Sequence, residues 1–266
     1  MKKISIITTL IILITGFAFI IEEKSDVKTL ETSAQSLSTK KIGWGIKRND
    51  NHEQPDLGKI NKEIIEKNNG IAMGNSNDKY IYLTFDEGYE AGYTKQILSI
   101  LKETNVKATF FITAHYLNTQ PELVKQMIDE GHIVGNHTVN HKSMPTLTEE
   151  QINSEVMDLH KSIYNQFGYE MKYIRPPMGE FSEKSISVTN SLGYKTVMWS
   201  FAYEDWNENK QPEENSAKKK IIDNVHNGEV MLLHGNSKTN TNILGDIINE
   251  IKNMGYEFKS LDEFEN

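Results

Sequence analysis

Tyr80-Ile81-Tyr82-Leu83-Thr84-Phe85-Asp86-Glu87-Gly88 is a mostly apolar run that ends in two adjacent carboxylates and a glycine. Residues 80–85 are rich in aromatic and aliphatic side chains, which predicts a buried strand. Gly88 permits a tight turn directly after the carboxylates. Parallel sheets present functional side chains at the carboxyl ends of their strands. The stretch therefore predicts a strand of a parallel sheet, with Asp86 and Glu87 at a functional edge.

Downstream of this strand, short β-rich runs alternate with segments of helical periodicity. The predicted strands are residues 80–85, 108–113, 132–135, 172–175, 195–200, 230–234 and 256–260. The predicted helices are residues 93–103, 122–130, 149–167, 184–192, 217–227 and 243–254. Such alternation implies an α/β fold with a parallel sheet. About seven parallel strands suit a distorted or incomplete (β/α) barrel better than an open sheet.

Capping residues mark several of the predicted helix boundaries. Thr148-Glu149-Glu150-Gln151 has the form of a capping box and predicts the start of the longest helix. Glycine accepts the left-handed conformation that releases the chain at a helix end. Glycines stand at five such positions: Gly131, Gly168, Gly193, Gly228 and Gly255.

Three segments are predicted ahead of the barrel. Met1-Lys2-Lys3 precedes an apolar run, so residues 1–21 are predicted to be an export signal peptide or, if uncleaved, an N-terminal membrane anchor. Residues 22–41 are polar, which is typical of a linker. Residues 42–79 are expected to form an extension that packs on the barrel. We therefore expect an exported protein, either secreted or anchored at the cell wall.

The composition excludes several classes of function. The chain has 266 residues, a formal charge of −8 and no cysteine. The acidic balance argues against a nucleic-acid partner, because phosphate binding needs a basic face. The lack of cysteine excludes disulfides, thiol nucleophiles and cysteine-based zinc sites. No pattern in the sequence implies a protein partner.

Asp86 and Glu87 are adjacent, and adjacent residues that leave a strand point in different directions. The two carboxylates can therefore serve different roles. One can contact a metal ion while the other accepts a proton from bound water. The alternative is a solvated acidic turn without chemistry.

His137-Thr138-Val139-Asn140-His141 supplies two imidazoles separated by three residues. On a helical turn this spacing puts both rings on one face, close enough to share an ion. Neutral imidazole is a good ligand for zinc and similar ions. An isolated pair can be a surface coincidence, but this one follows a predicted strand and so shares a barrel end with Asp86. We therefore predict that His137 and His141 bind a metal.

A fixed cation and a further histidine complete the set. Arg175 precedes Pro176-Pro177, whose restricted backbone stiffens the loop, so its guanidinium can hold a carboxylate ionised; the alternative is a surface ion pair. His234 ends an apolar strand and can serve as a general acid near neutral pH. Asp205-Trp206 can orient that imidazole and provide an aromatic wall for a sugar. No catalytic role is predicted for His52, His115, His132, His160 and His226.

Taken together, these segments resemble the polysaccharide deacetylases with the NodB homology domain, carbohydrate esterase family four. The similarity runs from about residue 80 to 258 and places the domain at 80–262. Five motifs occur in the family's order: Thr84-Phe85-Asp86-Glu87-Gly88, His137-Thr138-Val139-Asn140-His141, Arg175-Pro176-Pro177-Met178-Gly179, Asp205-Trp206 and Leu232-Leu233-His234. The stretch Trp44-Gly45-Ile46-Lys47-Arg48-Asn49 is similar to a narrower subgroup, the sporulation deacetylases that act on muramic acid.

The resemblance implies a role for each of these side chains. Asp86 would be the general base, held by Arg175, and His234 the general acid, supported by Asp205. A divalent metal ion, zinc or another, would be bound by three residues: His137, His141 and Glu87. The substrate surface would include Trp206, Leu232 and Pro177, with Leu232 lining the pocket for the acetyl methyl group.

Two positions depart from the family pattern. The family usually has aspartate where this chain has Glu87, and that aspartate is normally the third metal ligand. Glutamate is one methylene longer, so the resemblance leaves open whether Glu87 binds the ion. The first aspartate of the fourth motif is also replaced, by Ala202.

The implied activity is hydrolytic removal of N-acetyl groups from the glycan strands of peptidoglycan. The subgroup implies peptide-free N-acetylmuramic acid as the substrate, leading to the muramic δ-lactam of spore cortex. One alternative is deacetylation of N-acetylglucosamine in peptidoglycan or chitin-type glycans. The other is a non-catalytic glycan-binding module.

Overall fold

The computed structural model of the protein describes residues 37–264. The predicted signal or anchor, 1–21, and most of the predicted linker, 22–41, lie outside these residues. Lys41, at the end of the predicted linker, forms an ion pair with Glu180, with Nζ 2.7 Å from Oε1. Within residues 37–264, no helix combines the length and the apolar character needed to cross a bilayer.

Strands and helices alternate along the described chain. The strands are β1 (Ile42–Gly43), β2 (Tyr80–Glu87), β3 (Thr109–Ile112), β4 (Ile133–Asn136), β5 (Tyr173–Ile174), β6 (Glu180–Phe181), β7 (Lys195–Thr196), β8 (Glu229–His234) and β9 (Glu257–Phe258). The helices are α1 (Lys59–Lys67), α2 (Thr94–Glu103), α3 (Ala114–Thr119), α4 (Pro121–Asp129), α5 (Glu149–Phe167), α6 (Glu183–Ser191), α7 (Glu214–Asn224) and α8 (Lys238–Asn253).

Seven strands form one parallel sheet in the order β7-β5-β4-β3-β2-β8, with β9 beside the first residues of β2. After β7 the chain reaches the opposite edge of the sheet, where Phe201 forms a parallel bridge with Met231 of β8. There the Leu232 N–H donates to the Phe201 carbonyl at 2.9 Å. The two edges thus approach each other through a short bridge, and the sheet curls into an incomplete barrel. The predicted α/β barrel of about seven parallel strands is confirmed.

All seven predicted strands lie in this sheet, and the largest difference in length is at β7. This strand was predicted over 195–200 but ends at Thr196. Val197 forms a bridge with Ile71 of the N-terminal extension. The Ser200 N–H then donates to the Val230 carbonyl at 3.0 Å. The strand is short because its last residues pair with other partners.

The six predicted helices are present, and two further helices were not predicted. Helix α3 has six residues, too few to show a full helical pattern in the sequence. Helix α1 buries only Ile64 and Ile65, so its apolar stripe is too narrow to stand out. The predicted capping box of α5 is confirmed, because Thr148 Oγ1 accepts from the Gln151 N–H at 3.2 Å and Gln151 Oε1 accepts from the Thr148 N–H at 2.9 Å. Gly168, which ends α5, has a φ of 64°.

Strand β2 separates two apolar layers. Its alternate residues Ile81, Leu83 and Phe85 belong to the core shared with the helices. Tyr82 belongs instead to the cluster inside the barrel. Because side chains alternate along a strand, the side chain of Asp86 faces the inside of the barrel, and that of Glu87 faces the helices.

The N-terminal extension contacts the loop that carries the third motif. The Trp44 N–H donates to the Gly179 carbonyl at 2.8 Å, and the indole Nε1 donates to the Trp199 carbonyl at 2.9 Å. Gly179 has a φ of 64°, and a Cβ there would lie 2.7 Å from the Trp199 ring. Only glycine fits this position, so the extension and Trp199 together hold the loop after Arg175.

Candidate active site

The carboxyl ends of β2, β5 and β8 and the loop after β4 converge on one open cavity of about 930 Å³. Asp86, His137, His141 and His234 line it, and Arg175 lies buried directly behind Asp86. These residues come from four separate segments of sequence. The prediction that they share one end of the barrel agrees with their position in the structure.

Asp86 is paired with a buried cation. Arg175 NH1 donates to Asp86 Oδ1 at 2.8 Å, and the guanidinium also contacts the Val197 and Met198 carbonyls. Its central carbon lies 4.3 Å from the centre of the Phe111 ring. Burial by itself would raise the pKa of Asp86, but the nearby charges, Arg175 first, hold that pKa below its ordinary value. Asp86 is therefore ionised at neutral pH and can accept a proton.

The two predicted metal ligands meet at the cavity. His137 Nδ1 lies 2.8 Å from the Arg175 carbonyl, and because a carbonyl only accepts, Nδ1 carries the proton. His137 Nε2 is therefore unprotonated and can accept a hydrogen bond from Nε2 of His141, 3.1 Å away. Burial lowers the pKa of His137 to about 4 and also lowers the pKa of His141. Both rings are neutral at pH 7, which is the form that binds metals.

The segment that carries these histidines is a loop and not the helical turn on which the spacing argument relied. Thr138 and His141 have φ values of 69° and 54°, in the left-handed region. Asn136 Oδ1 accepts from the Thr138 N–H at 2.8 Å, and Thr138 Oγ1 accepts from the His141 N–H at 3.0 Å. These local hydrogen bonds replace those of a helix and still bring the rings together.

Helix α5 fixes the same loop from behind. Glu155 Oε2 accepts from the Asn140 N–H at 2.7 Å, and Glu155 Oε1 accepts from Asn140 Nδ2 at 2.8 Å. Lys142 Nζ lies 3.3 Å from Glu155 Oε1, and the Val139 N–H donates to the Glu155 carbonyl at 3.0 Å. The side chain and the backbone carbonyl of Glu155 thus fix Asn140 and Val139, which lie between the two histidines.

His234 is paired with a buried carboxylate. Its Nδ1 lies 2.7 Å from Asp205 Oδ1, and its backbone N–H donates to Asp205 Oδ2 at 2.9 Å. Asn240 Nδ2 also donates to Asp205. Burial would lower the pKa of His234, but the charge of Asp205 and its hydrogen bond raise that pKa above the ordinary value. The protonated form is thereby favoured, as a general acid requires.

Comparison with known proteins decides the family. The sequence model described as polysaccharide deacetylase matches residues 73–197. The peptidoglycan N-acetylmuramic acid deacetylase PdaA of Bacillus subtilis is 43% identical over 231 residues, which cover 86% of this chain and 88% of that protein. The chain belongs to the polysaccharide deacetylase family. It is accordingly a hydrolase of carbohydrate esterase family 4.

Solved structures of this family share the fold. The structure of Bacillus subtilis PdaA matches with a TM-score of 0.83, over 86% of this chain and 98% of that one. A peptidoglycan N-acetylglucosamine deacetylase of Bacillus cereus is 33% identical over 71% of this chain and 89% of that protein. A family 4 pseudoenzyme of Bacillus anthracis, 27% identical, matches with a TM-score of 0.69 over 73% of this chain and 68% of that one. Since the family includes a pseudoenzyme, the residues of the site must carry the argument for catalysis.

Glu87, predicted as the third metal ligand of this deacetylase, is not brought to the imidazoles. Its carboxyl lies on the helix side of β2, 3.5 Å from Thr94 Oγ1, and a Cβ at Gly235 would overlap it. Within residues 37–264, its Oε2 has no hydrogen-bond partner. Burial raises its pKa well above the ordinary value, which favours the neutral carboxyl. Strand alternation explains this placement, because Asp86 already occupies the barrel side.

His137 and His141 remain as the candidate metal ligands. In the part of the chain that the structure describes, no three His, Asp or Glu residues form a metal-binding group. His137 and His141 nevertheless fit as a ligand pair, because both are neutral and the tautomer of His137 leaves its Nε2 unprotonated and 3.1 Å from Nε2 of His141. Imidazole nitrogens are suitable ligands for zinc and similar borderline ions. The residues present thus fit a metal held by two protein ligands.

Two of the three residues that were predicted to bind the substrate line the cavity. Leu232 and Trp206 line the cavity, whereas Pro177 does not; its neighbours Met178 and Gly179 do. Pro177 is buried because it begins the turn Pro177–Gly179, in which Met178 takes the exposed position.

Several cavity residues of the deacetylase were not predicted as site residues. They are Gly88, Tyr89, Thr113, His115, Val139, Asn140, Met178, Gly179, Trp199, Ala202 and Asn236. Tyr89 and Asn236 stand just after Glu87 and His234, the last residues of β2 and β8. Position after a strand end was the available signal for these two, since neither side chain carries distinctive chemistry.

Proposed function

We propose that this protein removes acetyl groups hydrolytically from peptide-free N-acetylmuramic acid residues of peptidoglycan, with the help of a divalent metal ion. The proposal is carried by one observation: Asp86, held ionised by Arg175, and His234, held protonated by Asp205, line the same cavity. A binding module has no need of an aligned base and acid. The relative named as an N-acetylmuramic acid deacetylase supports the choice of sugar.

The reaction follows from the protonation states of these residues. The oxygen of a water molecule bonds to the carbonyl carbon of the acetamido group while Asp86 accepts the water's proton. His234 then gives its proton to the sugar nitrogen as the C–N bond breaks. Acetate leaves, and the sugar retains a free amine. Arg175 and Asp205 act through Asp86 and His234, holding their charge and direction.

The acetyl methyl group is placed by the apolar part of the cavity. Leu232 is buried and lines the cavity on the same strand as His234. A methyl group against Leu232 would place the amide nitrogen toward the imidazole. His137 and His141 would hold a divalent ion, zinc or another, which supplies Lewis-acid polarisation and makes bound water more acidic.

A muramic product allows a second step. The new amine can attack the carboxyl of the lactyl group on the same sugar and release water, which gives a δ-lactam. This ring closure requires a lactyl group without a stem peptide. We propose that the protein acts in this way on spore cortex and therefore works outside the cytoplasmic membrane.

The test uses mass spectrometry of peptide-stripped glycan strands after incubation with the purified protein, with and without a chelator. We expect loss of acetyl from muramic residues, followed by loss of water. Chelation should abolish both changes, and added zinc should restore them. The N-acetylglucosamine deacetylase of Bacillus cereus is also similar to this chain, so loss of acetyl from glucosamine alone would move the assignment to that sugar. If no acetyl group were lost from either sugar with any added metal, the protein would be a glycan-binding module.

A further inference from the structure

Two exposed aromatic side chains stand at the mouth of the cavity. Tyr89 follows β2 and is 42% exposed, and Trp206 lies in the loop after β7 and is 50% exposed. Both line the cavity, and so does Asn236, which is only 8% exposed. We refer to these three residues, Tyr89, Trp206 and Asn236, as the aromatic rim. Exposed aromatic rings beside a cavity are costly to leave in water, which suggests that the rim has a ligand.

Asn236 joins the two aromatic residues. Its Nδ2 donates to the Tyr89 hydroxyl at 2.7 Å and to the Trp206 carbonyl at 3.0 Å. The carbonyl only accepts, so this partner fixes the orientation of the amide. Both amide hydrogens are thereby used. Within residues 37–264, Oδ1 has no hydrogen-bond partner and remains an acceptor for a ligand hydroxyl.

The loop that carries Trp206 is itself held in place. Gln211 Nε2 fixes this loop through the Asp205 and Asn207 carbonyls, at 2.9 Å and 3.0 Å. Asn236 thus joins Tyr89 to a loop that is fixed by its own hydrogen bonds.

The rim lies directly beside the proposed acid. The centre of the Trp206 ring is 5.6 Å from that of His234. The cavity volume of about 930 Å³ is near the upper end of ligand pockets, which hold about 300–1,000 Å³. An acetamido group at Leu232 fills only part of it. The remaining space next to the rim suits a further sugar, whose C–H face stacks on an aromatic ring and whose hydroxyls meet the Asn236 acceptor.

We propose that Asn236 is a positioning residue that holds Tyr89 and Trp206 as a preformed binding site for a second sugar of the glycan strand, next to the sugar that loses its acetyl group. The inference rests on the proposed function, because it assumes that the substrate is a glycan strand. Without the two amide hydrogen bonds, both rings must be ordered when the sugar binds. That cost weakens binding of oligosaccharides and leaves chemistry at the acetyl group unchanged.

The test compares Asn236→Ala and Tyr89→Phe with the control Asn242→Ala. Asn242 lies on α8 and donates only to Glu214, outside the cavity. Binding of a peptide-free glycan tetrasaccharide and of N-acetylmuramic acid is measured by calorimetry on metal-depleted protein. The values of kcat and KM for both are then measured with zinc-loaded protein. Tyr89→Phe keeps the ring and removes only its hydrogen bonds, so it isolates positioning from stacking.

For Asn236→Ala we expect the Kd and the KM for the tetrasaccharide to rise about tenfold, and for Tyr89→Phe a few-fold. The values for the monosaccharide and kcat should stay within about twofold of the control. Equal tetrasaccharide Kd values for Asn236→Ala and Asn242→Ala would overturn the inference. An equal loss of affinity for the tetrasaccharide and the monosaccharide would overturn it too, because it would indicate general damage to the site.

Failure of the proposed function would have a different signature. Wild-type protein would then release no acetate from either sugar, while the calorimetric comparison of the variants would still decide the role of Asn236. Absence of tetrasaccharide binding to the wild type would overturn the rim as a sugar site.

Discussion

Strand β8 begins at Glu229 and ends at His234, and a histidine lies beside a buried carboxyl at each end. At the carboxyl end, His234 is 2.7 Å from Asp205. At the amino end, His226 Nδ1 is 3.4 Å from Glu229 Oε2, and His226 Nε2 is 2.8 Å from Ser200 Oγ. The two pairs use similar side chains, yet their electrostatics differ.

At the amino end of β8 the neutral forms of both groups are favoured. Burial lowers the pKa of His226 to about 4 and raises the pKa of Glu229 well above its ordinary value. At the carboxyl end, the charge of Asp205 overcomes burial and raises the pKa of His234. Desolvation lowers the pKa of both histidines, so it does not by itself decide their charge. The decisive difference is the negative charge of Asp205, with a smaller contribution from Asp86, which outweighs desolvation at His234.

The largest expected effect comes from removing the base at the charged end. Asp86→Asn deprives the site of its proton acceptor and leaves the buried Arg175 without its carboxylate. We expect kcat to fall about 10³-fold and the free energy of unfolding to fall by about 3 kcal/mol. Acetate release and chemical denaturation measure the two effects. A folded variant with wild-type kcat would show that Asp86 is not the base.

Removing the charge that supports the acid should make the carboxyl end of β8 resemble the amino end. Asp205→Asn takes away the charge that raises the pKa of His234. We expect kcat to fall about 10²-fold. Activity declines as the acid loses its proton, so the descending limb of the pH–rate profile should move to lower pH. If the descending limb stayed at the same pH, His234 would not be the group whose deprotonation causes the decline in activity.

A smaller effect is expected from loosening the loop of the two histidines. Glu155→Gln leaves one acceptor for the two Asn140 donors, at 2.7 Å and 2.8 Å in the present structure. We expect zinc affinity to fall about tenfold, as for other residues that orient ligands. Competition with a coloured chelator measures this without any activity assay. The matched control is Asp158→Asn on the exposed face of α5, and equal affinities for the two variants would refute the role of Glu155.

The smallest effect is expected at the neutral end. Glu229→Gln replaces a carboxyl that is already protonated, so kcat should not change and the free energy of unfolding should change by less than about 1 kcal/mol at acidic pH. The pKa of Glu229 is raised in the folded state, so its contribution to stability is present below its ordinary value of 4.5 and is lost as pH rises. The wild type should therefore lose stability relative to the variant above that pH. If the stabilities of the wild type and the variant changed with pH in the same way, the raised pKa of Glu229 would be contradicted.

Much of this site could be predicted because its residues stand at strand ends. Asp86, Arg175 and His234 follow apolar runs whose parallel arrangement sends their carboxyl ends to one edge. That His137 and His141 lie on a loop and not on a helical turn could not be predicted, because spacing alone does not reveal the left-handed residues that form the loop. Glu87 was assigned to the metal although strand alternation sends it toward the helices.

Tyr89 and Asn236 show a different limit. Their hydrogen bond joins residues 147 positions apart in the chain, and neither lies in a pattern with a chemical meaning of its own. Only the closing of the barrel places them on the same rim. Pro177 likewise could not be separated from Met178 until the turn fixed which of them is exposed.

The sequence by itself determined the alternation of strands and helices and the polar groups at the strand ends, because periodicity and turn residues are local properties of the chain. The tertiary structure alone decided which of these groups face the cavity and which are charged. The physical reason is that desolvation and Coulomb interaction depend on distances between segments far apart in sequence. Thus Asp86 and Glu87, neighbours in the chain, have pKa values displaced in opposite directions.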